Sequence, residues 1–361
     1  MSSAFWLFCV RSTILPDLLL ESHIDHFVAS STIWGLLIAG SPGYDHRKVS
    51  PPKHSRFAVR QARPKRHGAV RLAEATDALF VMDVDTVEGD RRFVRVVPGD
   101  SAALVDALAA RVRTAYFDAK AALARLREAA AELTQFDGSH LIVTEAEVEE
   151  ALEDELDAVL PAEWKKGGRP AQTATQRSEL AEIIATEVVT SLFSTVVPAS
   201  RIASKEIPDQ QTRGVDVLGL EHIGEPNLTL VVGEVKGSCE SASPPGVIAD
   251  MEKKLIAVST DRRQLLQELI WLRDHSDDAN ARTCMILCSG YLLRKLTPEL
   301  VLTPILIRTS VSEGVNDYGR FRKSRAIFDF PIRFICVIVE AQDLFDLAVA
   351  VYRKARELTA S

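Results

Sequence analysis

Two short stretches, GVDVLG at residues 214–219 and LTLVVGEVKG at residues 228–237, decide how the second half of this chain is interpreted. Both are runs of apolar and small residues of strand length, interrupted by a few charged residues. Asp216 lies on the first stretch, and Glu234 and Lys236 lie two positions apart on the second. Because side chains alternate along a strand, Glu234 and Lys236 are expected on the same face. If the two strands form a hairpin, Asp216 reaches the same edge of the sheet.

The Glu-x-Lys tripeptide carries little information alone, because the chain also contains it at residues 163–165 and 252–254. Neither of those copies follows an apolar strand. Glu234 is preceded by five apolar or small residues, and a Gly-Val-Asp sequence ends 18 positions upstream of it. This context favours a functional site over the alternative interpretation, a surface ion pair at the end of a strand.

Two carboxylates and an ammonium group at one sheet edge suit the hydrolysis of phosphodiesters. Mg²⁺ takes oxygen ligands and keeps several waters, so two carboxylates and a substrate phosphate satisfy it. The predicted cofactor is Mg²⁺ or Mn²⁺, bound by Asp216 and Glu234, which polarises a phosphoryl oxygen and activates a water. Lys236 is predicted to stabilise the charge of the transition state rather than to act as a general base.

This combination of strands and charged residues resembles the PD-(D/E)XK nuclease superfamily, whose members share a restriction-endonuclease-like fold. The resemblance covers about residues 173–340, with Gly-Val rather than a proline before Asp216. It implies a further carboxylate on the helix that precedes the first core strand. Glu182, which follows Ala181, matches that position, and Glu179 is the alternative. The resemblance therefore implies that Glu182 joins Asp216 and Glu234 as a catalytic residue and metal ligand.

The same two stretches, with a strand over residues 332–340 and a final helix, are similar to nuclease subunits of Hachiman-type anti-phage systems. This narrower resemblance implies a DNA endonuclease of bacterial defence that works with a helicase or ATPase partner. Two alternatives stay open: a catalytically silent nuclease-fold subunit for DNA binding or complex assembly, and a stand-alone restriction endonuclease. No helix-turn-helix or zinc-finger sequence is present to support the second alternative.

The composition is typical of a globular protein, since 47% of the 361 residues are hydrophobic and 26% are charged. The net charge of −7 argues against the coating of nucleic acid by bulk charge, so DNA contacts require local basic patches. One such patch is predicted at Arg320, Arg322, Lys323 and Arg325, for which a solvated hairpin tip is the alternative interpretation. No apolar run has the length of a membrane span, and the 5 cysteines lack metal or disulfide spacing, which favours a reducing cytoplasm.

The chain is predicted to have three parts. Residues 1–72 form an N-terminal segment that contains a basic linker at 46–71, and residues 73–165 form an α+β regulatory or docking region. Residues 171–361 form the nuclease-like domain. The predicted fold class is α/β, a restriction-endonuclease-like core with a mixed central sheet flanked by helices and preceded by a smaller helical and β region.

The predicted elements of the second part are a hairpin over 78–97, one long helix over about 101–135 and an acidic helix over 144–160. In the third part, a helix over 173–193 and a strand near 200–207 precede the two strands of the site. The remaining predictions are helices around 246–257, 260–275 and 282–294, strands near 304–310 and 332–339, and a last helix over 343–358.

Overall fold

The computed structural model describes residues 78–136, 143–162, 170–205, 214–223, 228–323 and 330–358. All of them fall within one unit of the chain, Val70–Ser361. The predicted N-terminal segment 1–72, its basic linker and Arg325 lie outside the described residues.

The described elements follow one another in an order that is close to the predicted one. They are β1 (Phe80–Glu88), β2 (Arg91–Pro98), α1 (Leu104–Tyr116), α2 (Ala119–Phe136), α3 (Glu145–Val159), α4 (Pro170–Phe193), β3 (Val217–Glu221), β4 (Thr229–Ser238), α5 (Val247–Thr260), α6 (Arg262–His275), α7 (Ala281–Leu292), β5 (Glu299–Thr309), α8 (Gly319–Lys323), β6 (Ile332–Val339) and α9 (Leu344–Glu357). The short helix α8 is the element that the sequence did not predict.

The described strands form one six-stranded mixed sheet in the order β1-β2-β6-β5-β4-β3. The hairpins β1–β2 and β3–β4 are antiparallel and lie at the two edges, and the pairs β2–β6, β6–β5 and β5–β4 are parallel. The central strands β5 and β6 are almost entirely buried, because helices cover both faces of a parallel sheet. The predicted α/β class with a mixed sheet flanked by helices is confirmed.

Two hydrophobic cores lie on opposite faces of the sheet. One core joins residues of α1, α4 and α9 to the sheet, and the other joins residues of α5, α6 and α7 to it. The alternation along β4 divides its residues between the cores: Val235 packs with α4, whereas Leu230 and Val232 pack with α5. Glu234 and Lys236 have the parity of Leu230 and Val232, so they follow the α5 side of the strand.

The predicted division between residues 165 and 171 does not separate two sheets. Strand β2 pairs with β6 and β1 pairs with β2, so the hairpin of the second predicted part extends the sheet of the third. Helix α3 begins as predicted, with a capping box between Thr144 and Glu147, and it buries Val148, Leu152 and Leu156. A regulatory or docking role for residues 73–165 stays a prediction.

Two predicted elements are wrong. The helix over 101–135 is two helices, because Phe117 is extended and the Asp118 side chain accepts a hydrogen bond from the backbone of Ala121, which starts α2. The described part of the predicted strand near 200–207, residues 200–205, is also not a strand, since residues 201–204 form turns. Arg201, which leads these turns, is instead drawn into a buried ion pair with Glu268 of α6.

Candidate functional site

The candidate site lies where β4 continues beyond its neighbour β3. The hairpin pairing starts with Val217 opposite Gly233, so residues 234–238 of β4 have no partner in β3. Asp216 lies at this point: its backbone N–H donates to Gly233 O at 3.1 Å, and its Oδ2 accepts from Val235 N at 2.7 Å. The carboxylate of Asp216 is therefore fixed at the free edge of β4, as the hairpin hypothesis required.

Glu234 and Lys236 lie on one face of β4 next to Asp216. The Glu234 side chain is fully buried, and its Oε1 lies 2.6 Å from Lys236 Nζ. Among the described residues, neither Glu234 oxygen accepts a hydrogen bond of good geometry. A buried carboxylate without such donors is costly in free energy, so Glu234 depends on nearby positive charge.

Lys254 of α5 is a member of the site that the sequence analysis missed. Its Nζ lies 2.5 Å from Glu234 Oε2 and 3.5 Å from Asp216 Oδ1. Lys254 belongs to the Glu-x-Lys copy at 252–254, which was set aside because no strand precedes it. One signal was available in the sequence: Lys254 lies beside the apolar residues Met251 and Leu255, both of which are buried on α5.

Helix α4 brings two carboxylates to the site from the other face of the sheet. Glu179 and Glu182 both line the cavity at the β4 edge. Glu179 is buried, forms an ion pair with Lys205 and accepts a hydrogen bond from the Tyr116 hydroxyl. Glu182 instead interacts electrostatically with Asp216, Lys254 and Glu234. Of the two, Glu182 is the carboxylate that faces the other charged groups of the site.

The pKa values of these groups reflect crowded negative charge away from water. Burial, and then the charge of Asp216, raise the pKa of Glu182 to about 8. Burial and Asp216 likewise raise the pKa of Glu234 to about 7. Burial alone would lower the pKa of Lys236, but the attraction of Glu234 outweighs it and raises that pKa. Additional positive charge is therefore needed to keep both glutamates ionised at neutral pH.

A cavity of about 120 Å³ opens at the free edge of β4. It is lined by Thr175, Ser178, Glu179, Glu182, Asp216, Lys236 and Lys254. One water needs roughly 10–15 Å³ of such volume, so the cavity has room for a hydrated cation. Oxygen ligands and retained waters are what Mg²⁺ and Mn²⁺ prefer, and the donor chemistry of the site fits such an ion.

The carboxylates are not preassembled around an ion. Within the part of the chain that the structure describes, no three His, Cys, Asp or Glu side chains are arranged as a metal-ligand set. The ammonium groups of Lys236 and Lys254 contact the oxygens of Glu234 directly. The site thus has suitable ligands, but lysine charges hold the oxygens of Glu234.

A buried ion pair holds the backbone immediately before Asp216. The Arg201 guanidinium donates to Val215 O at 2.7 Å, pairs with Glu268 and stacks 3.9 Å from the centre of the Trp271 ring. Val215 N in turn donates to Glu268 at 3.3 Å. Gly214 has a φ of +103°, and a Cβ there would overlap the Arg201 guanidinium. The glycine two positions before Asp216 is therefore required by both conformation and space.

The predicted basic patch is only partly described. Arg320, Arg322 and Lys323 belong to α8. The exposed Arg322 side chain pairs with Glu88 of β1 and lies 5.5 Å from the centre of the Phe93 ring. Arg322 therefore already has partners within the fold, and a role in nucleic-acid contacts stays a prediction.

The fold and the site define an α/β protein with a mixed sheet, at one edge of which carboxylates and lysines surround a cavity. The family model that matches is HamA, over residues 85–353, which is more than half of the chain. The chain belongs to the HamA family, the family of the HamA protein of Hachiman anti-phage defence systems. The resemblance to Hachiman subunits is thus confirmed at the level of the family.

A search of curated proteins gave no significant match to the chain. Among the described residues, no helix combines the length and the apolar character that crossing a membrane requires.

Proposed function

We propose that the chain is a DNA endonuclease of Hachiman anti-phage defence, which hydrolyses phosphodiester bonds with the help of Mg²⁺ or Mn²⁺. The observation that carries the proposal is the meeting of Asp216, Glu234 and Lys236 beside a cavity at the free edge of β4. The resemblance to PD-(D/E)XK nucleases and the membership of the HamA family support it.

Asp216 and Glu234 would hold the cation, and Glu182 would add a third carboxylate from α4. A bound divalent cation polarises a phosphoryl oxygen and lowers the pKa of an attacking water. The raised pKa values of Glu182 and Glu234 support this assignment, because they mark carboxylates that gain from a nearby cation.

Lys236 would act on the charge that develops during cleavage. Its ammonium group lies 2.6 Å from Glu234, and its raised pKa keeps it protonated at neutral pH. A fixed positive charge beside the cavity stabilises the growing negative charge on the phosphate oxygens of the transition state. We therefore assign Lys236 an electrostatic role rather than that of a general base.

DNA would reach the site with the help of a partner. The net charge of −7 disfavours strong binding of the DNA backbone by this chain alone. A helicase or another ATPase that already holds DNA would supply the missing phosphate contacts and expose the strand to be cut. Such a partner is implied by the resemblance to Hachiman nuclease subunits.

The proposal is tested by the cleavage of supercoiled plasmid and single-stranded DNA with Mg²⁺ or Mn²⁺, with and without the protein of the neighbouring gene. Glu234→Gln should reduce the cleavage rate by about 10²–10³-fold, because it removes a charged ligand at the reacting centre. The matched control is Glu299→Gln, which changes an exposed carboxylate at the start of β5. This control should cleave at the rate of the wild type.

Either result discriminates between enzyme and scaffold. Metal-dependent cleavage that Glu234→Gln abolishes and Glu299→Gln preserves would support the nuclease and its site. Absence of cleavage with every metal, substrate and partner would favour the catalytically silent subunit. Sequence-specific cleavage without a partner would instead favour the stand-alone restriction endonuclease.

A further inference from the structure

One ammonium group holds two oxygens that a cation at this site would need. Asp216 Oδ2 accepts the hydrogen bond from Val235 N, and Glu234 Oε1 contacts Lys236. The remaining oxygens, Asp216 Oδ1 and Glu234 Oε2, lie 3.5 Å and 2.5 Å from Lys254 Nζ. Lys254 therefore bridges the two carboxylates through the oxygens that are not otherwise engaged.

A divalent cation and this ammonium cannot share those oxygens. Both are positive, both need close approach to an oxygen, and the contact between Lys254 and Glu234 is already 2.5 Å. The Lys254 side chain is 35% exposed and lines the cavity, so its long flexible stem can move the charge toward solvent. Lys236, which holds the other oxygen of Glu234, need not move.

We propose that Lys254 occupies the place of the cation in the metal-free protein and moves to the substrate phosphate when the cation binds. The proposal rests on the function proposed above and assigns a role to Lys254, which lies outside the motif of Asp216, Glu234 and Lys236. An ammonium displaced from two carboxylates loses its partners, and an incoming phosphate supplies new ones. Bound metal thereby raises the affinity for DNA, and bound DNA raises the affinity for metal, because coupling between two ligands is reciprocal.

The first test is the affinity for Mn²⁺ in the absence of DNA, measured by electron paramagnetic resonance on the full chain. Lys254→Met should bind Mn²⁺ about 10-fold more tightly than the wild type, because the competing charge is gone. Lys254→Arg keeps a cation in place and should return the affinity to near the wild-type value. Lys253→Met, an exposed neighbour on α5, is the control and should change nothing.

The second test is cleavage at saturating Mn²⁺, at which metal affinity no longer limits the rate. Lys254→Met should then cleave about 10–100-fold more slowly, since it lacks the ammonium that holds the phosphate. Lys253→Met should cleave at the wild-type rate. Circular dichroism spectra of all variants establish that each one is folded.

The outcomes separate this inference from the proposed function. Unchanged or weaker Mn²⁺ binding by folded Lys254→Met would overturn the place-holding role, and unchanged cleavage at saturating Mn²⁺ would overturn the role in phosphate binding. In both cases the nuclease assignment would stand, provided that the wild type cleaves DNA. Mn²⁺ binding that survives Asp216→Asn together with Glu234→Gln would show that the ion binds elsewhere, and would overturn both.

Discussion

Two buried clusters of charge lie on neighbouring parallel strands, one around Glu234 of β4 and one around Arg308 of β5. They are close in register, because Ser238 of β4 pairs with Arg308. Arg308 is fully buried, and its guanidinium donates to Asp317 at 3.1 Å, to the backbone oxygen of Ser238 at the end of β4, and to those of Ala242 and Ser312 in the loops after β4 and β5. Both clusters belong to the same sheet, yet they differ in how their charges are satisfied.

The two clusters differ in their balance of charge, and this difference distinguishes a cluster that stabilises the fold from one that can bind a ligand. Around Arg308, each guanidinium nitrogen has an acceptor and the single positive charge faces the single negative charge of Asp317. Around Glu234, three carboxylates share two lysines, a cavity adjoins them, and the pKa values of two of the carboxylates, Glu182 and Glu234, are raised. Balanced charges in which every guanidinium nitrogen has an acceptor stabilise a fold, whereas an excess of one sign beside a cavity indicates a site for a ligand of the other sign.

The largest expected effect is on folding stability at Arg308. Arg308→Met leaves the buried Asp317 without its charged partner and removes one donor from each of three backbone oxygens, which should cost about 3–5 kcal/mol of unfolding free energy. Glu234→Gln removes a buried excess charge and should leave stability unchanged or raise it. Urea unfolding of both variants in the absence of metal measures the two unfolding free energies. A similar loss of unfolding free energy in both variants would show that the Glu234 cluster also stabilises the fold.

The second expectation concerns the pH dependence of stability in the metal-free protein. The pKa of Glu234 rises from 4.5 to about 7 on folding, so the folded state binds more protons between these values. Stability should therefore fall as pH rises from about 5 to 8, on the order of 2–3 kcal/mol for this group. Glu182, whose pKa also rises, adds a loss of the same sign.

Measurement of the unfolding free energy at several pH values tests this expectation. Glu234→Gln should make this free energy depend less steeply on pH. Glu221→Gln serves as the control, because burial is outweighed by Arg333 and Thr195, which lower the pKa of Glu221. A lowered pKa contributes stability above pH 4.5 and loses it below, so this variant should leave the slope between pH 5 and 8 unchanged. If the unfolding free energy of Glu234→Gln depends on pH as steeply as that of the wild type, the burial of the Glu234 carboxylate is not the cause of this pH dependence.

The smallest expected effect compares two glycines with positive φ. Gly214→Ala should cost about 1–2 kcal/mol and reduce cleavage, because the new Cβ pushes Arg201 away from the backbone beside Asp216. Gly89→Ala meets open space at a φ of +71° and should cost less than about 1 kcal/mol with normal cleavage. Equal cleavage rates for the two variants would show that the contact of Arg201 with the Val215 backbone does not position Asp216.

The amino-acid sequence was enough to predict the α/β order, the hairpin of the site and the shared face of Glu234 and Lys236. These features are local: apolar runs of strand length and a period of two settle them without knowledge of neighbours. The sequence shows that Gly-Val before Asp216 departs from the superfamily pattern. It does not show the reason, which is the positive φ of Gly214 and its close approach to Arg201. The local reasoning failed at residues 200–205, which form turns rather than the predicted strand and in which Arg201 makes a long-range ion pair with Glu268.

Which charged side chains meet depends on how the helices and strands pack against one another. Lys254, 20 residues after Glu234, reaches its carboxylate because α5 packs on the same face of the sheet. Glu179 differs from Glu182 because Lys205 and Tyr116 engage it. Arg308, an isolated charge in an apolar strand, gave no sign of its many acceptors. Sequence spacing fixes directions along one element, but contacts between elements depend on packing that no single stretch contains.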